Sequence, residues 1–159
     1  MKLMTPGLRK IALVVHVATS VGLLGAVLCF LVLVFAGTGD PTLQGAYVMA
    51  NLIAERVILP LLLASLVVGV AEGLWTPWQL FKFRWVTTKL VITAVATVVL
   101  LVQMHPIGQL AGAALAGTPL DPGLQHRVLV HAAGGLLVLL LPLALSVYKP
   151  TAKPRNAEY

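Results

Sequence analysis

Four long apolar blocks, separated by short polar segments, dominate the hydrophobic pattern of the chain. They cover about residues 11–35, 47–75, 85–104 and 124–148. Because a helix rises 1.5 Å per residue, about 20 residues cross a hydrocarbon core of roughly 30 Å. Each block is long enough, and its apolar residues are continuous instead of lying along one face. The pattern predicts an all-α membrane protein in which residues 1–148 form a four-transmembrane-helix bundle.

Helix-start signals precede the second and fourth blocks. Asp40-Pro41 and Asp121-Pro122 each place a capping side chain before a proline, which is typical of the first turn of a helix. We expect these two dipeptides to mark where the second and fourth helices begin.

A proline also marks the predicted end of the third helix. Pro106 follows Met104, so the third helix is expected to stop there. The segment 105–120, rich in Ala and Gly, then predicts a short interfacial or re-entrant helix. The segment 149–159 carries two prolines and several polar residues, and is predicted to be a disordered cytoplasmic tail.

Small residues four positions apart predict how the helices pack. In lipid, helices associate where small side chains let two backbones approach closely. Such ridges on the first two helices are Ala18, Gly22 and Ala26, then Ser65, Gly69 and Gly73.

Composition and charge agree with a membrane protein and add its orientation. The chain is 59% hydrophobic and 10% charged, whereas soluble domains are about a quarter charged. Its net charge of +6 comes from basic residues gathered in three short stretches outside the apolar blocks, which indicates topology and not a nucleic-acid surface. By the positive-inside rule, both termini lie in the cytoplasm (N-in/C-in). These basic residues are Lys2, Arg9, Lys10, Lys82, Arg84, Lys149, Lys153 and Arg155.

Ionisable residues within a span are costly, and each is therefore a candidate functional group. An inner layer contains His16, Glu72 and Lys89 on three successive helices. One interpretation is a proton or ion site, because imidazole exchanges a proton near neutral pH. The alternative is a structural salt bridge between Glu72 and Lys89, or a Lys89 side chain that extends to the headgroups.

An outer layer contains the other three histidines. His105 and His131 flank the predicted connection of helices three and four, where they could hold haem b between helices. With His126, and with Glu55 or Asp121 added, the same side offers a copper or zinc site. The alternative is that these histidines hydrogen-bond loop carbonyls and water.

Catalytic signatures are missing from the sequence. There is no Walker A loop, Gly-x-Ser-x-Gly elbow, His-Glu-x-x-His pair or Cys-x-x-Cys motif. The sequence therefore favours a protein that is not an enzyme.

Three stretches resemble a group of small uncharacterised four-helix membrane proteins of actinobacteria. They are residues 16–27, the tryptophan-rich loop 75–89, and residues 131–137 with Ser-Val-Tyr-Lys-Pro after them. The resemblance implies a bacterial plasma-membrane location and transfers no activity. In layout the chain is also distantly similar to membrane domains of CopD-type copper-resistance proteins and to haem-bearing four-helix cytochromes. The paired histidines of a two-haem cytochrome are absent.

Three functions remain open from the sequence. The first is electron transfer or metal handling through haem or a transition metal at the outer histidines. The second is a non-catalytic accessory subunit of a larger membrane complex, and the third is a small proton-coupled transporter. The lipid bilayer is the expected partner, with a homo-oligomer or a larger complex as further expectations.

Overall fold

The structure is a computed structural model that describes residues 5–75 and 84–148, with only the backbone described at 84–85 and 146–148. Predictions for the N-terminal Lys2, for most of the tryptophan-rich loop and for the tail 149–159 lie outside the described residues.

The described chain is helical and contains no strand. The first helix, α1, is followed by a 3₁₀ turn and then by one long helix in three parts, the middle part being a single π-helical turn. Two further long helices complete the bundle. The elements are α1 (Pro6–Gly39), the 3₁₀ turn (Pro41–Leu43), α2 (Ala46–Ile53), the π turn (Ala54–Ile58), α3 (Leu59–Trp75), α4 (Arg84–Ala116) and α5 (Pro122–Tyr148).

Four helices in the described part of the chain are long and apolar enough to cross a membrane. This confirms the predicted fold class of an all-helical protein with four candidate spans. In the apolar segments of these spans at most 22% of residues are buried inside the protein. Most of their surface therefore faces lipid or another protein. The spans are Pro6–Gly39, Ala46–Trp75, Val86–Ala116 and Pro122–Leu145.

Pro106 does not end the third span, so that prediction is wrong. It lies inside α4, which continues to Ala116 without a re-entrant segment. Beyond the proline, Ile107 and Leu110 are buried in the core. A helix that keeps its backbone hydrogen bonds avoids the cost of exposing polar groups to hydrocarbon, and this outweighs the one bond that proline removes.

The two cap-and-proline signals have different outcomes. Asp121 caps α5 as predicted, since its Oδ1 accepts from the backbone N–H of Gly123 at 2.9 Å. Asp40 instead caps the 3₁₀ turn, where its Oδ1 accepts from the Thr42 hydroxyl at 2.7 Å and from the Thr42 N–H at 2.8 Å. These bonds hold the pKa of the Asp40 carboxyl below its usual value. The second span begins only at Ala46.

We call the end where α1 and α4 finish and α2 and α5 begin the loop end, and the opposite one the cavity end. A dry core fills the bundle toward the loop end, where Tyr47 is 1% exposed. The Thr38 hydroxyl donates to the Val34 carbonyl at 2.8 Å, so it accepts from the Tyr47 hydroxyl at 2.7 Å. The ring of Tyr47 lies flat against Gly37, which has no side chain to keep it away.

Replacing Gly37 tests this close approach. A Cβ at this position would lie 2.8 Å from Cε2 of Tyr47, so we expect Gly37→Ala to destabilise the protein by about 1–3 kcal/mol. Gly25 on the same helix has no atom within 4 Å of an added Cβ, and Gly25→Ala should be neutral or stabilising by up to about 1 kcal/mol. Thermal unfolding of the detergent-purified variants, followed by circular dichroism, measures both. Equal melting temperatures would contradict the packing described.

Candidate functional site: a cavity between α1, α3, α4 and α5

A cavity of about 510 Å³ lies at the cavity end of the bundle and is lined by α1, α3, α4 and α5. Most of its wall is aliphatic, with a small number of polar side chains. Such a volume and lining are typical of small-molecule sites, which measure about 300–1,000 Å³. The polar side chains that line it are His16, Ser20, Ser65, Glu72, Lys89 and Thr93.

Small residues of α3 make room for the side chain of His16. An added Cβ at Gly69 would lie 3.3 Å from Cε1 of His16, so the imidazole packs on the bare backbone of α3. Ser65 and Gly73, one turn to either side, are both buried. The predicted ridge on α3 thus faces α1. Of the matching ridge on α1, Ala18 is exposed and does not take part.

A pair of serines bridges α1 and α3 beside the histidine. The hydroxyls of Ser20 and Ser65 lie 3.2 Å apart, and one donates to the other. Each hydroxyl has one hydrogen and two lone pairs, so the pair retains one hydrogen and several lone pairs for a further partner. Ser20 is four residues from His16 and therefore on the same face of α1.

His16 has an unsatisfied nitrogen. Its Nδ1 atom is buried and has no hydrogen-bond partner among the described residues. The backbone of Ser65, on the neighbouring helix α3, lies near the ring. Buried polar atoms in proteins are nearly always paired, and Nδ1 of His16 is one of three buried side-chain atoms without a partner among the described residues.

Lys89 connects the charged groups of the cavity. It interacts electrostatically with both His16 and Glu72. The Thr93 hydroxyl donates to the Lys89 carbonyl at 2.9 Å, which ties Thr93 to the same turn of α4. The structure thus brings together the three residues of the predicted inner layer, each from a different helix. Glu72 and Lys89 attract each other as predicted. Together with His16 they also place three titratable side chains at one cavity.

The predicted outer histidines do not form a comparable site. His105, His126 and His131 are all exposed, and none of them lines the cavity. The Nδ1–H of His131 donates to the Arg127 carbonyl, one turn earlier on α5, at 2.7 Å. Over residues 5–75 and 84–148, no group of three His, Cys, Asp or Glu side chains is arranged to hold a metal ion. The described residues thus give no support to the predicted three-histidine metal site, and haem binding by His105 and His131 stays a prediction.

The sequence did not predict a second polar region near the π turn. Asn51 on α2 donates its Nδ2 to Oε1 of Glu55 at 3.2 Å, while its own Oδ1 is buried and unpaired in the described structure. The Oε1 atom of Gln103 on α4 is likewise buried and has no hydrogen-bond partner in the described structure. The spacing of Asn51 and Glu55, four apart on one face, was the available signal. The Ser20–Ser65 pair had no such signal, because it depends on the register between two helices.

The contact between Gly69 and His16 can be tested by NMR. Because 3.3 Å is closer than an ordinary van der Waals contact, Gly69→Ala should displace the imidazole and shift one of the four histidine ring signals. Gly134→Ala on α5 is the control, since an added Cβ there has no atom within 4 Å. Nitrogen-15 histidine spectra of both variants measure the effect. Four unmoved signals in Gly69→Ala would show that His16 lies elsewhere.

Comparison with known proteins adds no relative to this picture. Neither the protein-family models, nor the curated proteins, nor the solved structures contain a match to the chain.

Proposed function

We propose that the protein is a small proton-coupled transporter that binds its substrate in this cavity. The observation that supports the proposal is the meeting of His16, Glu72 and Lys89, from three helices, at one cavity within the spans. Ionisable groups at membrane depth are expensive, and in transporters they form substrate sites and proton relays. A purely structural ion pair needs no cavity beside it.

The chemistry of the three residues suits proton exchange. Imidazole changes charge near neutral pH, and His16 lines the cavity with the other two groups. Glu72 supplies a carboxylate and Lys89 a compensating positive charge, so a proton gained or lost at one group alters the charge balance of all three. Substrate binding that changes this charge balance also changes how strongly the three groups hold a proton. Substrate binding and proton movement are thereby coupled.

The basic residues support an orientation for this transporter. Arg9 and Lys10 are exposed in the first turns of α1, at the cavity end. By the positive-inside rule the cavity end faces the cytoplasm, with both termini inside, in a bacterial plasma membrane. The cavity then belongs to the cytoplasmic half of the protein.

An accessory subunit is the second candidate function. The supporting observation is the low burial of α4 and α5, where only 11% of the residues in each apolar segment are covered by the protein itself. Such a surface suits lipid, but it also suits a second copy or a larger complex. Haem or metal binding has weaker support, because the histidines proposed for it are exposed and no group of three metal-ligating side chains is found among the described residues.

Neutralising Glu72 tests the transporter. In liposomes that contain purified protein and a pH-sensitive dye, we expect at least one member of a panel of small amphipathic amines, acids and quinones to drive proton movement. Glu72→Gln should reduce this movement to the level of empty liposomes, because the amide cannot carry a proton.

The matched control is Glu55→Gln, which neutralises an exposed carboxylate in the π turn, outside the cavity. It should retain the wild-type rate. Two outcomes would refute the transport proposal. One is proton movement that persists in Glu72→Gln, and the other is the absence of proton movement in the wild-type protein with every compound of the panel.

A further inference from the structure

The cavity has an opening in its side wall. Four of its lining residues are also exposed on the surface: Leu13, Val17 and Val21 on α1, which are 55%, 52% and 56% exposed, and Leu143 on α5, which is 39% exposed. A side chain that both lines a cavity and reaches the surface stands at the mouth. The opening therefore lies between α1 and α5.

This opening faces hydrocarbon and not water. Its rim is entirely aliphatic, and from Leu13 to Val21 it extends over eight residues of α1, or about 12 Å along the membrane normal. These residues belong to a span with a mean hydropathy of 2.6. A polar solute would lose its hydration there without compensation, whereas a lipid-soluble molecule crosses such a rim at no cost.

The side chains inside the cavity determine which kind of ligand head group can bind there. Glu72 and Lys89 carry opposite charges, so with a neutral His16 the cavity has no net charge to balance a charged ligand. Bringing an ion into this site would incur a desolvation penalty of several kcal/mol. The cavity-lining imidazole of His16 and the spare hydrogen of the Ser20–Ser65 pair instead suit a carbonyl or hydroxyl.

We propose that the ligand is an uncharged amphipathic molecule of the quinone or quinol class, which enters from the bilayer between α1 and α5. Its ring lies among the aliphatic walls, and its oxygen atoms hydrogen-bond to His16 and to the serine pair. Its tail extends through the opening into lipid, since about 510 Å³ encloses a ring head but not a long chain. This inference deepens the proposed function, because it names the ligand class of the same cavity, and it rests on that function. It concerns ligand binding and not proton movement.

Binding to three probes tests the chemical class. The probes are a benzoquinone with a ten-carbon tail, the ten-carbon carboxylate decanoate, and a tail-free benzoquinone. Affinities for the protein in lipid nanodiscs are measured by thermal shift and native mass spectrometry at pH 8. The tailed quinone should bind at least about tenfold more tightly than either other probe, and Ser65→Ala should weaken it by roughly tenfold, as expected for one lost hydrogen bond.

A blocked mouth tests the route. Val17→Trp should weaken binding of the tailed quinone by at least about tenfold, because the indole fills the opening. Val14→Trp is the matched control: Val14 is 67% exposed on the same helix and does not line the cavity, so binding should be retained. If Val17→Trp does not fold, Leu143→Trp with Leu141→Trp as its control replaces this pair, since both leucines are exposed and only Leu143 lines the cavity.

Three outcomes would overturn the inference. Absence of binding of the tailed quinone to the wild-type protein would remove it entirely. Tighter binding of decanoate would assign the cavity to a charged amphiphile, and equal effects of Val17→Trp and Val14→Trp would disprove the lateral route. Failure of the transport proposal is distinguishable, because a wild-type protein that binds the tailed quinone while no compound of the panel drives proton movement leaves this inference intact.

Discussion

The structure depends on the cost of placing an unpaired polar atom in hydrocarbon. For the backbone the only local remedy is the helix, and α4 shows how strong this constraint is, because it continues through Pro106 to Ala116 instead of breaking. The same cost applies to side chains. The Thr93 hydroxyl donates to the backbone one turn before it, and those of Ser20 and Ser65 pair with each other between helices. Against this background, the buried and unpaired Nδ1 of His16 is an exception that calls for a partner.

Two glycines each let a side-chain ring of a neighbouring helix approach the backbone closely, one in a packed core and the other at a cavity. Near the loop end, Gly37 receives the ring of Tyr47, and the aromatic ring fills the space between helices. Near the cavity end, Gly69 of α3 receives the imidazole of His16, which is smaller and polar, and the surrounding aliphatic residues leave about 510 Å³ open. A glycine without a side chain thus belongs to the packed core at the loop end and to the cavity wall at the cavity end.

Depth in the membrane was predictable from the sequence, whereas direction around each helix was not. Depth follows from counting residues at a fixed rise, so the four spans and the grouping of His16, Glu72 and Lys89 in one layer were predicted before the structure. Direction depends on how each helix is rotated against its neighbours. For this reason the sequence did not predict the exposure of His105 and His131 or the Ser20–Ser65 contact. Pro106 and Asp40 were misread because each signal is local, and tertiary packing decides where a long helix continues or begins.

The charge of the ligand decides which groups carry the proton. A protonated amine could bring its own proton into the cavity, and the protein would then need no titratable residue. An uncharged ligand arriving from the lipid brings none that it readily releases in hydrocarbon, so the proton must move on the protein itself. The cavity supplies an imidazole and a carboxylate for that task, with Lys89 interacting with both. The proposals of proton coupling and of a neutral ligand therefore depend on the same cavity, which His16, Glu72 and Lys89 all line.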